Sequence, residues 1–290
     1  MNPKELLQCG DEHRKARDYQ AAVPYYARAL DIAPGNRRAH LSLADAYRGL
    51  GETGKVIEIL ERYLATSPVD AEAHCRLADA HKKARNRDAA LAHYRSSLAL
   101  DPRNRYALMG LGDLHHKADE PAEALACWEP LLAMIPTLVN VWTQVGNIHR
   151  KAQAFDRAEA CYRTALDLEP GNGYAVFGMA DCLRGLGRWE EALPLWEDLL
   201  RRDPDQQVLT RAGDCYLRLG LLDRAQEMYE RSLVHGFDKA TLLGLAKVQR
   251  LGGDYEVAHQ IYRQILERHP GDARTLALQA EAVAEQTAAS

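Results

Sequence analysis

Apolar and polar residues alternate along the chain with the period of amphipathic α-helices, in short blocks that are separated by proline. In blocks such as YYARALDIAP and CYRTALDLEP, apolar residues recur three and four positions apart and the block ends at a proline. Proline lacks the backbone N–H and restricts the residue before it, so it ends these helices. The pattern predicts an all-α protein built from many helices of similar length.

The prolines that end the blocks are evenly spaced. They are Pro34, Pro68, Pro102, Pro136, Pro170, Pro204 and Pro270. Each follows the previous one after 34 residues, except the last, which follows after 66. This period predicts eight repeats over residues 3–36, 37–70, 71–104, 105–138, 139–172, 173–205, 206–238 and 239–272. Residues 273–290 are expected to form a capping helix, and residues 1–290 a single solenoid domain.

Each repeat carries small and aromatic residues at fixed places. The eighth place is glycine or alanine in all eight repeats, and the twentieth is alanine in all except the second repeat, which has Val56. The twenty-fourth place is Tyr26, Leu60, Tyr94, Trp128, Tyr162, Trp196, Tyr229 and Tyr262. Small residues let two antiparallel helices approach, and large aromatics fill the space one turn later. We expect looser or shifted packing at Leu60, where the aromatic has moved to Tyr63, and at Phe237, which replaces a repeat proline.

These positions resemble the tetratricopeptide repeat, whose motif is W-x2-L-G-x2-Y, A-x3-F and P. The fifth repeat shows the motif most fully, with Trp142, Gly146, Ala158, Tyr162 and Pro170. The resemblance covers residues 3–272 and implies a right-handed superhelical solenoid of helix-turn-helix repeats. It also implies that places two, five, nine and twelve of the first helix in each repeat line a concave groove that binds peptides or partner helices. We call these four places the polar stripe.

Opposite charges recur along the polar stripe. The ninth place is Asp11, Asp45, Asp79, Asp113, Asn147, Asp181, Asp214 and Lys247. The twelfth is Arg14, Arg48, Lys82, His116, Arg150, Arg184, Leu217 and Arg250. Two interpretations stay open: each acid pairs with the base three residues later, or the two ladders hydrogen-bond the backbone of an extended ligand.

The middle repeats add aromatic residues to this stripe, which are typical of binding hot spots, and a methionine, which adapts its shape. The predicted partner-binding residues are Tyr106, Met109, Asp113, Asn140, Thr143, Asn147, Arg150, Tyr174, Phe177, Asp181 and Arg184. The alternative for the members at places two and five is that they contact the neighbouring first helix.

Composition and charge disfavour nucleic acid as a partner and indicate the cellular compartment. A formal net charge of -4 and a pI near 6.3 disfavour nucleic acid. The chain has no apolar run of 18 residues, and none follows its first charges, so neither a membrane span nor an export signal is expected. Six cysteines without a CxxC pair suggest free thiols in a reducing compartment. These features predict a cytoplasmic protein.

No catalytic or metal-binding motif emerges from the sequence. There is no phosphate-binding glycine loop and no Gly-x-Ser-x-Gly elbow. Histidines recur at the eleventh place as His13, His81, His115 and His149. One histidine per repeat does not suit a shared zinc ion, because packed helices lie about 8–10 Å apart whereas zinc holds its ligands at about 2 Å. We expect no cofactor, no bound metal and no catalysis.

The predicted function is therefore a non-enzymatic scaffold for protein–protein interaction that binds a peptide or helical segment of a partner. Two alternatives stay open. The first is a structural protein that assembles into homo-oligomers, and the second is the regulatory arm of an enzyme complex.

Overall fold

The computed structural model describes residues 1–289, and α-helices are the only regular secondary structure in that range. The chain divides into two compact units, Met1–Pro136 and Thr137–Ser290. The division falls at the end of the fourth repeat, two residues before the fifth begins.

Each repeat forms two helices, and a last helix follows the eighth repeat. The first unit contains α1 (Pro3–Lys15), α2 (Tyr19–Ile32), α3 (Arg37–Gly49), α4 (Thr53–Thr66), α5 (Ala71–Lys83), α6 (Arg87–Leu100), α7 (Arg105–Lys117) and α8 (Pro121–Met134). The second contains α9 (Val139–Lys151), α10 (Phe155–Leu168), α11 (Gly173–Gly185), α12 (Trp189–Arg202), α13 (Gln206–Arg218), α14 (Leu222–Val234), α15 (Lys239–Leu251), α16 (Tyr255–Arg268) and α17 (Ala273–Ala289). We call the first helix of each repeat its A helix and the second its B helix. The all-α fold of paired helices is confirmed.

The turn between the A and the B helix has the same backbone conformation in every repeat. Its fifteenth place lies in the left-handed region, with φ between 56° and 84°. Glycine occupies that place at Gly51, Gly187, Gly220 and Gly253. Larger residues adopt the same conformation at Arg17, Arg85, Asp119 and Gln153. The tight packing of the two helices thus imposes a conformation that costs a non-glycine residue about 1–2 kcal/mol.

The repeat prolines lie just after the B helices, as their spacing predicts. The helix α2 ends at Ile32, two residues before Pro34, and α12 ends at Arg202, two residues before Pro204. The seventh repeat has Phe237 at this place, and its B helix ends at Val234. There the Phe237 ring lies against Arg268, whose guanidinium carbon is 4.2 Å from the ring centroid.

The core is a stack of aromatic rings lying against small residues. The twenty-fourth-place rings are at most 2% exposed in all seven repeats that have one. A β-carbon added to Gly112 would lie 2.3 Å from the indole nitrogen of Trp128, so the eighth place has to stay small there. The predicted close approach of the paired helices therefore rests on direct contact.

The second repeat shifts its aromatic residue without loosening the packing. Leu60 is fully buried, and Tyr63 is only 4% exposed. The Tyr63 hydroxyl donates a hydrogen bond of 3.0 Å to Asp70, which caps α5 and also pairs with Arg37 at 2.6 Å. The expectation of a shifted ring is met, whereas looser packing is not observed.

Candidate functional site

The two ladders of charge on the polar stripe were expected either to pair with each other or to bind a ligand, and the protein itself binds most of the acids. In the first, third, fifth and seventh repeats, the tyrosine at the twenty-fourth place donates its hydroxyl to the acid or amide at the ninth. The pairs are Tyr26 with Asp11 (2.8 Å), Tyr94 with Asp79, Tyr162 with Asn147 (2.8 Å) and Tyr229 with Asp214 (2.8 Å). Burial is the largest cause that raises the pKa of Tyr26 to about 12, followed by its bond to Asp11, so its hydroxyl stays a donor at neutral pH.

The second, fourth and sixth repeats lack this phenol, and their acids pair with bases of neighbouring repeats. Leu60, Trp128 and Trp196 stand at the twenty-fourth place. The ion pairs are Arg76 with Asp45, Lys82 with Asp113 at 2.9 Å, and Arg150 with Asp181. The buried indole nitrogens of Trp128 and Trp196 have no hydrogen-bond partner, because neither reaches the acid as a phenol does. A tyrosine at the twenty-fourth place thus adds a bond to the acid or amide of its own repeat, and Asp11 pairs with Arg38 of the next repeat as well.

Pairing between the acid and the base three residues later occurs in only some repeats. It is present as Arg14 with Asp11 at 3.5 Å, Arg48 with Asp45 at 3.0 Å and Arg184 with Asp181 at 2.7 Å. Pairs within one helix therefore account for part of the charge pattern, and contacts between repeats account for much of the rest.

Asp181 is the centre of the densest cluster of charge on the stripe of the second unit. Its side chain is 6% exposed and lies within ion-pair distance of three guanidinium groups from three A helices. Arg150 extends from α9, Arg184 lies on α11 at 2.7 Å, and Arg211 reaches from α13 to 3.8 Å. The three guanidiniums are 23–32% exposed, so this cluster presents positive charge to solvent. At this point the stripe exposes cations, and the carboxylate of Asp181 is occupied.

The predicted aromatic residues of the second unit have different environments. Tyr174 is 83% exposed, and Asn140 is exposed as well. Phe177 is half-buried and packs edge-on against Trp196, with ring centroids 5.3 Å apart. Thr143 is buried and donates its hydroxyl to the backbone oxygen of Val139. Of these four predicted residues, only Tyr174 and Asn140 are exposed on the polar stripe, because Phe177 and Thr143 contribute to helix packing.

The three predicted residues of the first unit, Tyr106, Met109 and Asp113, also differ in exposure and in their contacts. Tyr106 is 62% exposed and lies under the guanidinium of Arg105, 4.8 Å from the ring centroid. Met109 is half-buried, and Asp113 holds Lys82. Tyr106 also borders a cavity of about 620 Å³ whose lining has charges of both signs.

A basic cleft in the second unit was not predicted. It has a volume of about 610 Å³ and lies at the sixth to eighth repeats and α17. Six basic side chains line it, against the two acids Asp214 and Glu281. The six are Arg184, Arg211, Arg218, Lys247, Arg250 and Arg274. The sequence feature that could have indicated this cleft is Lys247, because it is the one basic residue at the ninth place of the eight repeats.

The recurring histidines take part in separate local contacts. His13 stacks on Tyr25, His81 stacks on His93, and His115 pairs with Glu120. Within residues 1–289, no group of three or more histidine, cysteine or acidic side chains is arranged to hold a metal ion. In the same residues no helix has both the length and the apolar character needed to cross a bilayer.

A histidine cluster in the first unit predicts loss of stability in mild acid. The His93 ring stacks between His74 and His81, with a ring nitrogen 3.0 Å from one of His74. Burial, followed by the charges of His74 and His81, lowers the pKa of His93 below its usual 6.5. The unfolded chain then binds a proton that the folded chain does not, so the free energy of unfolding falls as the pH drops through about 6.5.

This prediction is checked by thermal unfolding at several values between about pH 7.5 and pH 5.5. His93→Gln should show a smaller fall in melting temperature over this window than the unaltered protein. His235→Gln, at an exposed histidine of the other unit, serves as the control and should leave the fall unchanged. Equal pH dependence of all three proteins would contradict the assignment to His93.

Comparisons with known proteins agree with this architecture. Three sequence models described as tetratricopeptide repeat match the chain, at residues 13–78 and 149–210, at 75–128 and 183–241, and at 240–272. The search of curated proteins found no match.

Solved structures with a similar fold share little sequence with the chain. MamA is 23% identical over 58% of this chain and 92% of its own, with a TM-score of 0.53. A tetratricopeptide repeat protein from Parabacteroides merdae is 17% identical over 84% and 97%, with a TM-score of 0.55. YrrB, described as a TPR protein with an unusual peptide-binding site, is 21% identical over 64% and 96%, with a TM-score of 0.58. Matches to the repeat models over most of the sequence, together with seventeen helices that follow the repeat period in residues 1–289, show that this chain belongs to the tetratricopeptide repeat family.

Proposed function

We propose that this chain is a non-enzymatic scaffold that binds a peptide or helical segment of a partner protein along the polar stripe of its A helices. The proposal treats residues 1–290 as one repeat array. The observation that carries it is Tyr174, an aromatic side chain 83% exposed on the A helix α11, which also carries Asp181 and Arg184 of the partly exposed arginine cluster. Exposed aromatic and arginine side chains are the residue types that contribute most to binding at protein interfaces.

The internal pairing of the acids supports a particular mode of binding. Because Asp181 is occupied by three arginines, a ligand is bound by donors and by aromatic surface. Guanidinium groups donate up to five hydrogen bonds in a fixed geometry and accept none, so they recognise carbonyl and carboxylate oxygens of a peptide. YrrB, whose fold is similar, is a TPR protein with a peptide-binding site, and this is consistent with the proposal.

A double variant of exposed stripe residues tests this function. Tyr174→Ala combined with Asn140→Ala removes side chains that are accessible and leaves the buried packing in place. In affinity capture from the native cell followed by mass spectrometry, we expect recovery of the specific partner to fall about tenfold or more, as for loss of a hot spot.

The matched control is Val234→Ala, which alters an apolar residue 85% exposed at the end of the B helix α14. It should retain the partner. If the double variant and the control capture the same proteins in the same amounts as the unaltered chain, the polar stripe is not the binding surface. Light scattering of the same samples distinguishes binding of a partner from self-assembly, because a strict monomer at high concentration excludes the latter.

A further inference from the structure

We infer that the basic cleft at the sixth to eighth repeats binds an acidic, leucine-containing segment of a partner protein through the carboxylates of that segment. This inference rests on the proposed function and adds the chemistry of the ligand. The cleft lies within the second unit, and its lining combines six basic side chains with an apolar floor. The floor consists of Trp189, Leu217, Leu243 and Leu278.

The excess of positive charge follows from one change in the repeat pattern. At the eighth repeat the ninth place is Lys247, where the other repeats have an acid or an amide. The hydroxyl of Tyr262 therefore has no acid at the usual place, and its remaining partner is Arg250 of the same repeat, as Arg150 is a partner of Tyr162 in the fifth repeat. The twelfth place of the seventh repeat is Leu217, which adds apolar surface between the cations.

Half of the cleft's basic side chains have no acidic partner. Among the described residues, Arg218, Lys247 and Arg274 form no ion pair, although Arg218 lies 5.8 Å from the ring centroid of Trp189. Arg184 and Arg211 share the carboxylate of Asp181, and Arg211 also lies 3.6 Å from Asp214, which accepts a hydrogen bond from Tyr229. A concave surface lined by one sign of charge focuses its field and raises the local concentration of the opposite charge.

The chain itself shows that this surface accepts carboxylates. Arg250 binds Glu281 at 3.3 Å and Glu285 at 2.6 Å, both on α17. Glu281 also lines the cleft, so α17 supplies an acidic group to one end of it. These two glutamates occupy Arg250 only, and Arg218, Lys247 and Arg274 stay available to carboxylates of a second segment.

The apolar floor favours a peptide over a nucleic acid. Leucine or similar side chains of a peptide can contact Leu217, Leu243 and Leu278 while neighbouring carboxylates meet cations of the same lining. A nucleic acid would leave this floor unused. The net charge of the whole chain, -4, also opposes binding of a long polyanion outside the cleft.

Fluorescence polarisation with defined probes tests the inference. The probe is a labelled peptide of about twelve residues in which glutamate and leucine alternate, and the comparison probes are its glutamine–leucine counterpart and a uridine oligonucleotide of equal charge. We expect the glutamate peptide to bind the full chain at least about tenfold more tightly than either of the others. Its affinity should fall as salt is raised, because the contacts are exposed to solvent. Equal binding of the glutamine peptide, or tighter binding of the oligonucleotide, would overturn the inference.

Two pairs of variants locate the site. Lys247→Glu with Arg274→Glu alters two exposed side chains that form no ion pair among the described residues, and it should weaken binding of the glutamate peptide about tenfold. Lys151→Glu with Arg157→Glu makes the same change of charge at exposed residues of this unit outside the cleft, and it should alter affinity much less. Equal losses in the two pairs would indicate a general charge effect and would overturn the inference.

A third pair of substitutions should strengthen binding of the glutamate peptide instead of weakening it. Glu281→Gln with Glu285→Gln removes the carboxylates that occupy Arg250, so affinity for the glutamate peptide should rise several-fold. A loss of affinity in this variant would contradict the inference. If Tyr174→Ala with Asn140→Ala abolishes partner capture while Lys247→Glu with Arg274→Glu does not, the scaffold function stands and the acidic ligand is wrong.

Discussion

Replacing Trp196 by alanine should lower the free energy of unfolding by about 3 kcal/mol, the lower end of the range of about 3–5 kcal/mol for a buried aromatic. Trp196 is fully buried at the twenty-fourth place, and Phe177 of the A helix packs edge-on against its ring. The lower end applies because the indole nitrogen is buried without a hydrogen-bond partner, and removing the ring removes that unfavourable group too. Urea unfolding followed by circular dichroism measures the change.

Two further variants show which property of Trp196 matters. Tyr174→Ala removes an aromatic ring that is 83% exposed in the same repeat and should change stability by less than about 0.5 kcal/mol. Trp196→Tyr restores the residue of the odd-numbered repeats, and its phenol would reach Asp181 as Tyr162 reaches Asn147. We expect it to cost less than about 2 kcal/mol. If Trp196→Ala cost no more than Tyr174→Ala, the stacked rings would not be the core of the repeat.

The fold was predictable because the same residue pattern occurs in eight repeats, and every copy predicts the same pair of helices. A proline, a small residue and an aromatic recur at fixed places, and each predicts a helix end, a helix crossing or a buried ring. The backbone of the turns was less predictable. Arg17, Arg85, Asp119 and Gln153 adopt a conformation that favours glycine, because the packing of the two helices outweighs the preference of the single residue.

The candidate site was predictable only in part, since pairing between repeats depends on how far each side chain reaches. The sequence contains the alternation of tyrosine with leucine or tryptophan, but only the structure shows that the phenol holds the acid of its own repeat. Place five was expected to face a ligand or the neighbouring A helix. Instead, Thr143 bonds the backbone oxygen of Val139 in its own helix, and Phe177 packs against Trp196 of the B helix in its own repeat. The basic cleft was missed because side chains of three A helices, two B helices and α17 build it together.

Replacing Asp181 by asparagine should lower the free energy of unfolding by about 2 kcal/mol. The side chain keeps its shape but loses the charge that three arginines share. Removing one partner of a fully buried ion pair costs about 3–5 kcal/mol. The three guanidiniums are partly exposed, so water compensates part of that loss. Urea is the suitable denaturant, because it does not screen the charges as guanidinium chloride does.

Asp113→Asn is the matched control, since Asp113 occupies the same place in the other repeat that has a tryptophan. Its side chain is 37% exposed and pairs with Lys82 at 2.9 Å, so the loss should stay below about 1 kcal/mol.

Asp181→Asn should raise the affinity for an acidic peptide although it lowers the free energy of unfolding. Without the shared carboxylate, Arg184 loses its acidic partner and Arg211 keeps only its pair with Asp214 at 3.6 Å, so both are freer to bind a ligand in the basic cleft that they line. Affinity for the glutamate–leucine peptide should therefore rise roughly three- to fivefold while stability falls. A variant that merely disturbed the packing of α11 would lose stability and affinity together, so the opposite signs distinguish an electrostatic role of Asp181 from a purely structural one.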